Sequence, residues 1–131
     1  MAKIGIELAA ICDDVRKEVT GKYNLIGVYD EGVTFTQLPV NWQFNLVLRI
    51  RADAAYEGTL TGSIDYSGKT LSINDMTVNV PRAGTFLVPL KVVLPDINRP
   101  GTVAFALRLG SAMWKDSFGV RAMPQKAAQA G

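Results

Sequence analysis

Residues 42–51 read Trp-Gln-Phe-Asn-Leu-Val-Leu-Arg-Ile-Arg, with Trp42, Phe44, Leu46, Leu48 and Ile50 at every second position and Gln43, Asn45, Arg49 and Arg51 between them. Period two belongs to a β-strand, in which successive side chains point to opposite faces of a sheet. One face suits a dry core and the other suits water, with Val47 the exception. A strand this long needs antiparallel neighbours of matching pattern and a second layer over its apolar face.

The rest of the chain supplies them. Ile4, Ile6 and Leu8 alternate with Gly5 and Glu7 in a first strand that runs to about Ile11, with a helix over residues 7–18 as the competing reading, leaving residues 13–17 as a solvated connection. Tyr23, Leu25, Gly27 and Tyr29 alternate in a strand apolar on both faces, which is therefore expected to be central or covered on each side, and a short strand follows over residues 33–36. Leu60, Ile64 and Tyr66 share one face of a strand over residues 58–66, and Ser67-Gly68-Lys69 marks a hairpin turn. Residues 70–73 return, Met76, Val78 and Val80 alternate again, and residues 85–94 are nearly all apolar. Pro89 lies inside that run and cannot donate to a ladder, so the run is an edge strand or bends there and crosses between sheets. Val103, Phe105, Leu107 and Leu109 define a further strand, and residues 114–122 a last one with Trp114, Phe118 and Val120 as packing residues.

Eight or nine strands at short spacing, separated by Gly, Pro, Asn and Asp, predict an all-β fold: a two-layer antiparallel β-sandwich, with a closed barrel as the alternative. Pro39, Pro81, Pro89 and Pro95 suit edges and corners, which favours two sheets. No linker divides the chain, so residues 1–122 form one domain and residues 123–131, rich in Ala, Gln and Lys, a flexible tail. At 131 residues the chain can bury about two thirds of its unfolded surface without a staple.

Composition narrows the chemistry. The chain contains no histidine, which removes the usual general base and the commonest zinc ligand. A single cysteine, Cys12, excludes an intramolecular disulfide and a multi-cysteine zinc site. Beside Asp13 and Asp14 its thiol pKa is expected to rise, and it reads as a small buried apolar residue. Fourteen basic against 12 acidic residues gives a formal charge of +2, without the concentrated basic surface that nucleic acid requires. Glu7 interrupts what would be the apolar core of a signal peptide, and no stretch approaches a spanning length. The expected compartment is the cytoplasm, with no membrane partner.

Three groups of residues are candidates for a site. Arg49 and Arg51 point the same way from one strand and Arg108 points outward from another, a set suited to phosphate or carboxylate; cross-strand pairing with Glu7, Asp65 or Asp116 is the plainer role. Asp13 and Asp14 in one loop and Asp30 and Glu31 in another are weak calcium candidates, without the Asp-x-Asp-x-Asp spacing, and could equally be solvated loop and cap residues. They could also serve a carboxylate-only hydrolase, if two of them converge. Among aromatics, Trp42 and Tyr66 fall on core faces, leaving Tyr56 as the one expected to be freely exposed for a sugar or base. Tyr66-Ser67-Gly68-Lys69-Thr70 lacks the first glycine of a phosphate loop and leads into a strand, so that reading is rejected.

Leu8-Ala9-Ala10-Ile11-Cys12-Asp13, then Thr20-Gly21-Lys22-Tyr23-Asn24-Leu25-Ile26-Gly27-Val28-Tyr29 and Leu46-Val47-Leu48-Arg49, resemble a family of small uncharacterised bacterial proteins with a Gly-Lys-x-Asn-hydrophobic-hydrophobic-Gly segment. The likeness covers roughly the first fifty residues, and Pro100-Gly101-Thr102 stands where that family has a Pro-Gly turn. It implies a compact β-sandwich and brings no catalytic residues or cofactor.

The expected function is therefore a non-catalytic interaction or assembly module, with a protein partner or self-association along an edge strand and no cofactor. The alternative is a binder of a small anionic metabolite, nucleotide or sugar through Arg49, Arg51, Arg108 and Tyr56.

Overall fold

The alternating segments fold as nine strands among the described residues: β1 (Ile4–Lys17), β2 (Tyr23–Tyr29), β3 (Gly32–Phe35), β4 (Val40–Ala52), β5 (Tyr56–Tyr66), β6 (Lys69–Val80), β7 (Gly84–Ile97), β8 (Gly101–Leu109) and β9 (Ala112–Ala122). The structure is a computed structural model that describes residues 2–30 and 32–123. A four-stranded sheet has the order β2-β1-β4-β7 and a five-stranded sheet the order β3-β9-β8-β5-β6. The two pack face to face as an open sandwich, not a closed barrel. The pairs are antiparallel apart from β3, which lies parallel to β9.

The period-two pattern decides what is enclosed. Phe44, Leu46, Leu48 and Ile50 of β4 are fully buried, as are Leu60 and Ile64 of β5 and Leu109 of β8. Phe44 meets Phe105 of the other sheet edge-to-face, with ring centroids 6.2 Å apart. Enclosing one such side chain stabilises the fold by about 1.5–3 kcal/mol, so the facing rows supply most of what holds the layers together. Trp42 stacks on Phe44 and on Phe118, and Phe105 on Trp114, carrying an aromatic seam along the interior.

One detail differs from the sequence pattern and two are resolved by the fold. β1 does not stop near Ile11: an extra residue between Leu8 and Ala10 forms a bulge, which keeps Leu8 and then Ile11 on the core side and lets the strand continue to Lys17. Residues 13–17 are thus a strand paired with β2; their polarity reflects solvent on that part of the sheet and not a loop. Val47, on the outer face of β4, is only 1% exposed, set between Ala10 of β1 and Pro89 of β7. Pro89 lies within a continuous β7 at the edge of its sheet, so of the two expected roles the edge strand is the one observed. The expected tail falls, from residue 124 on, outside the described residues. No helix among the described residues is long and apolar enough to cross a membrane.

Candidate functional site

The arginines do not form one cluster. Arg49 and Arg51 lie on the outer face of β4, opposite Glu7 and Gly5 of β1. Both reach the same carboxylate oxygen: Arg51 Nη2 is 3.1 Å and Arg49 Nη1 3.5 Å from Glu7 Oε1. That oxygen receives charge at ion-pair range without a well-aligned hydrogen bond. Arg108 belongs to the other sheet, where its Nη2 lies 3.5 Å from the sulfur of Met113. A sandwich puts the outer faces of its two sheets on opposite sides, so the three guanidinium groups cannot grip one small anion.

The acidic residues also take local partners. Asp13 accepts a hydrogen bond from the Tyr29 hydroxyl, and its main-chain oxygen accepts one from Asn45. Asp14 pairs with Arg16 at 3.3 Å. Asp30 lines a recess with Gly32, Thr34 and Arg121, and Glu31 lies outside the described residues. Among the described residues no group of three or more cation-ligating side chains forms. Burial, and then the hydrogen bond to Asp13, push the Tyr29 phenol above its ordinary pKa, an effect Trp42 partly offsets. Burial and then Asp13 likewise push the Cys12 thiol up, so the carboxylates named from sequence are the lesser cause. The thiol donates to the main-chain oxygen of Asp14.

Tyr56 is not freely exposed. Its ring packs against the core, and its hydroxyl stands where a β-carbon on Gly58 or Gly110 would lie, so two glycines make room for it. Tyr66 is buried as expected, its hydroxyl donating to the Pro95 main-chain oxygen at 2.9 Å. A groove of about 500 Å³ opens between β6 and β7, lined by Leu71, Ile73 and Met76 on one side and Pro89, Leu90 and Val92 on the other. It holds none of the residues singled out from the sequence.

What the sequence did not reveal is the contrast among the sheet margins. An edge strand presents unpaired main-chain groups that can join another strand, and proteins blunt it with proline, charge, bulges or brevity. β7 carries Pro89, Lys91, Pro95 and Asp96. β6 carries Lys69 and Asp75, with a bulge between Ile73 and Met76, and β3 has four residues. β2 has none of these devices: Tyr-Asn-Leu-Ile-Gly-Val-Tyr contains no charge and no proline. Ile26 is 43% and Val28 56% exposed, side by side on the outer face. The signal was present in the composition of residues 23–29, but only the strand order identifies that segment as a margin.

A family model covers residues 7–116. The chain belongs to that family, DUF6941, described as a family of unknown function. Membership agrees with the resemblance to an uncharacterised family read from the opening third, and assigns no activity. Among curated proteins nothing matches. Nine chains of solved structures match; one is a β-glucosidase from Listeria innocua in complex with glucose, with a TM-score of 0.55 and 6% identity. That match covers 92% of the DUF6941 chain but 16% of the glucosidase, so the chain corresponds to a small part of that protein's length. At such low identity the likeness is one of fold alone.

Proposed function

We propose that this protein is a non-catalytic interaction module that engages a protein partner through the β2 margin of its four-stranded sheet, in the cytoplasm. The single observation behind this reading is that margin: seven uncharged residues without proline, bearing exposed Ile26 and Val28, in a molecule whose other margins are blunted. The lack of histidine in the sequence and the engagement of Arg49 and Arg51 by Glu7 support it further.

A second reading is a small anionic ligand at Arg49 and Arg51, favoured by two guanidinium groups sharing one carboxylate. Hydrogen exchange during titration with short β-forming peptides, alongside thermal shifts with phosphate, nucleotides and oligosaccharides, separates the two. The module predicts slowed exchange along β2 and flat thermal shifts. Stabilisation by an anion that Arg49→Ala abolishes, with β2 unchanged, contradicts it.

A further inference from the structure

We infer that the partner of the β2 margin is a second copy of this chain, bound by antiparallel β2–β2 pairing about a two-fold axis at Ile26, so that the two four-stranded sheets continue as one. This rests on the reading of β2 as the recognition margin.

The main-chain geometry allows it. β1 and β2 pair with Asp14 opposite Ile26 and Arg16 opposite Asn24, and on the same diagonal the amide of Glu18 donates to the Lys22 carbonyl at 2.7 Å. In an antiparallel ladder, directly hydrogen-bonded pairs alternate with pairs whose main-chain groups point away. Asn24, Ile26 and Val28 therefore spend their main-chain groups on β1, while Tyr23 and Leu25 direct theirs outward. With the axis at Ile26, Leu25 faces Gly27 of the other copy and Tyr23 faces Tyr29, so the outward main-chain groups of Tyr23 and Leu25 supply the hydrogen bonds across the axis. Ile26 faces its own symmetry mate as the closer, non-hydrogen-bonded pair, where side chains approach best. Gly27, with φ of 68°, sits beside the axis; Asp13 occupies the space a side chain there would need, so this twist in β2 depends on glycine.

Charge fixes the register. Lys22, just before β2, and Asp30, just after it, are both exposed and are the nearest charged residues along the chain on either side of the uncharged run. The same axis sets Lys22 of each copy opposite Asp30 of the other, giving two opposite-charge pairs that flank an apolar patch of two Ile26 and two Val28 side chains. A slip of two residues loses both pairs, and a parallel arrangement sets like charge against like. The surface is complementary to itself in one orientation and one register, which is what a closed dimer needs.

Size-exclusion chromatography with light scattering tests this over a range of concentrations, with circular dichroism checking that each variant folds. The chain of 14.2 kDa is expected to give twice that mass. Ile26→Lys, at an exposed position, sets two lysines together at the axis and weakens the dimer on the order of a hundredfold or more. Asp30→Lys weakens it roughly tenfold by opposing like charges twice, and adding Lys22→Asp restores it. A dimer untouched by Ile26→Lys, or a charge exchange that fails to restore pairing, overturns the inference. A monomer at every concentration overturns it too; if peptides still slow exchange at β2 the module reading survives, and if they do not both readings fall together.

Discussion

The two margins of the four-stranded sheet solve opposite problems. β7 buries Leu90, Val92, Leu94 and Ile97 against the other sheet, and it carries Pro89 and Pro95, which lack amide donors, together with Lys91 and Asp96. β2 buries none of its seven residues fully, yet carries no charge and no proline. A margin that is anchored by its side chains and blunted along its main chain is part of the folding unit. One that contributes little to the core and keeps its main chain available is free to pair with something outside the fold. On the function proposed above, stability and recognition are divided between the two ends of one sheet.

The largest expected effect lies at the anchored end. Leu94→Ala removes a fully buried side chain of β7 and should cost about 2–5 kcal/mol in denaturant unfolding. Ile26→Ala on β2 should stay within about 0.5 kcal/mol in the dilute protein. Comparable losses at both positions would break the contrast.

Tyr29→Phe probes the point where β2 joins the core, because Tyr29 packs edge-to-face on Trp42 and donates to Asp13. Loss of that hydrogen bond should cost about 1 kcal/mol near neutral pH. The phenol pKa is raised on folding, so its contribution is fully present below the ordinary value of 10.0 and is lost as pH rises through the raised one. The gap between wild type and Tyr29→Phe should therefore narrow in strongly alkaline solution, as unfolding curves on either side of that range would reveal. Cys12 adds a loss of the same sign, beginning above its ordinary 9.0, in both proteins.

A small, salt-dependent effect belongs to the outer face between the two margins. Arg49→Ala or Arg51→Ala should each cost no more than about 1 kcal/mol, less at high salt, because Arg51 is exposed and Arg49 partly exposed beside Glu7. A larger loss, insensitive to salt, would mean that this face does more than cover Val47.

Much of the fold was legible in the sequence because period two is a local signal. The alternation of Trp42, Phe44, Leu46, Leu48 and Ile50, and of Val103, Phe105, Leu107 and Leu109, names the two facing rows, and Pro89 narrows its strand to an edge or a crossing between sheets. What was not legible depends on contacts between distant segments. The bulge at Leu8–Ala10 turns residues 13–17 from an apparent loop into strand, and Tyr56 is covered because Gly58 and Gly110 leave it space. Arg49 and Arg108 both point outward in the sequence pattern, but only the assignment of β4 and β8 to different sheets sets them on opposite sides. The margin itself was hidden for the same reason: residues 23–29, apolar on both faces, read as a central or covered strand, and their position at the end of a sheet is a property of strand order.

The most direct measurement is amide hydrogen exchange of the wild-type protein, dilute and concentrated, resolved at Tyr23 and Leu25 on β2 and along β7. Exchange at Tyr23 and Leu25 that slows with concentration, while β7 stays unchanged, is the predicted result. Equal rates at β2 in both conditions, or slowing confined to β7, would contradict the pairing of β2 with a second copy.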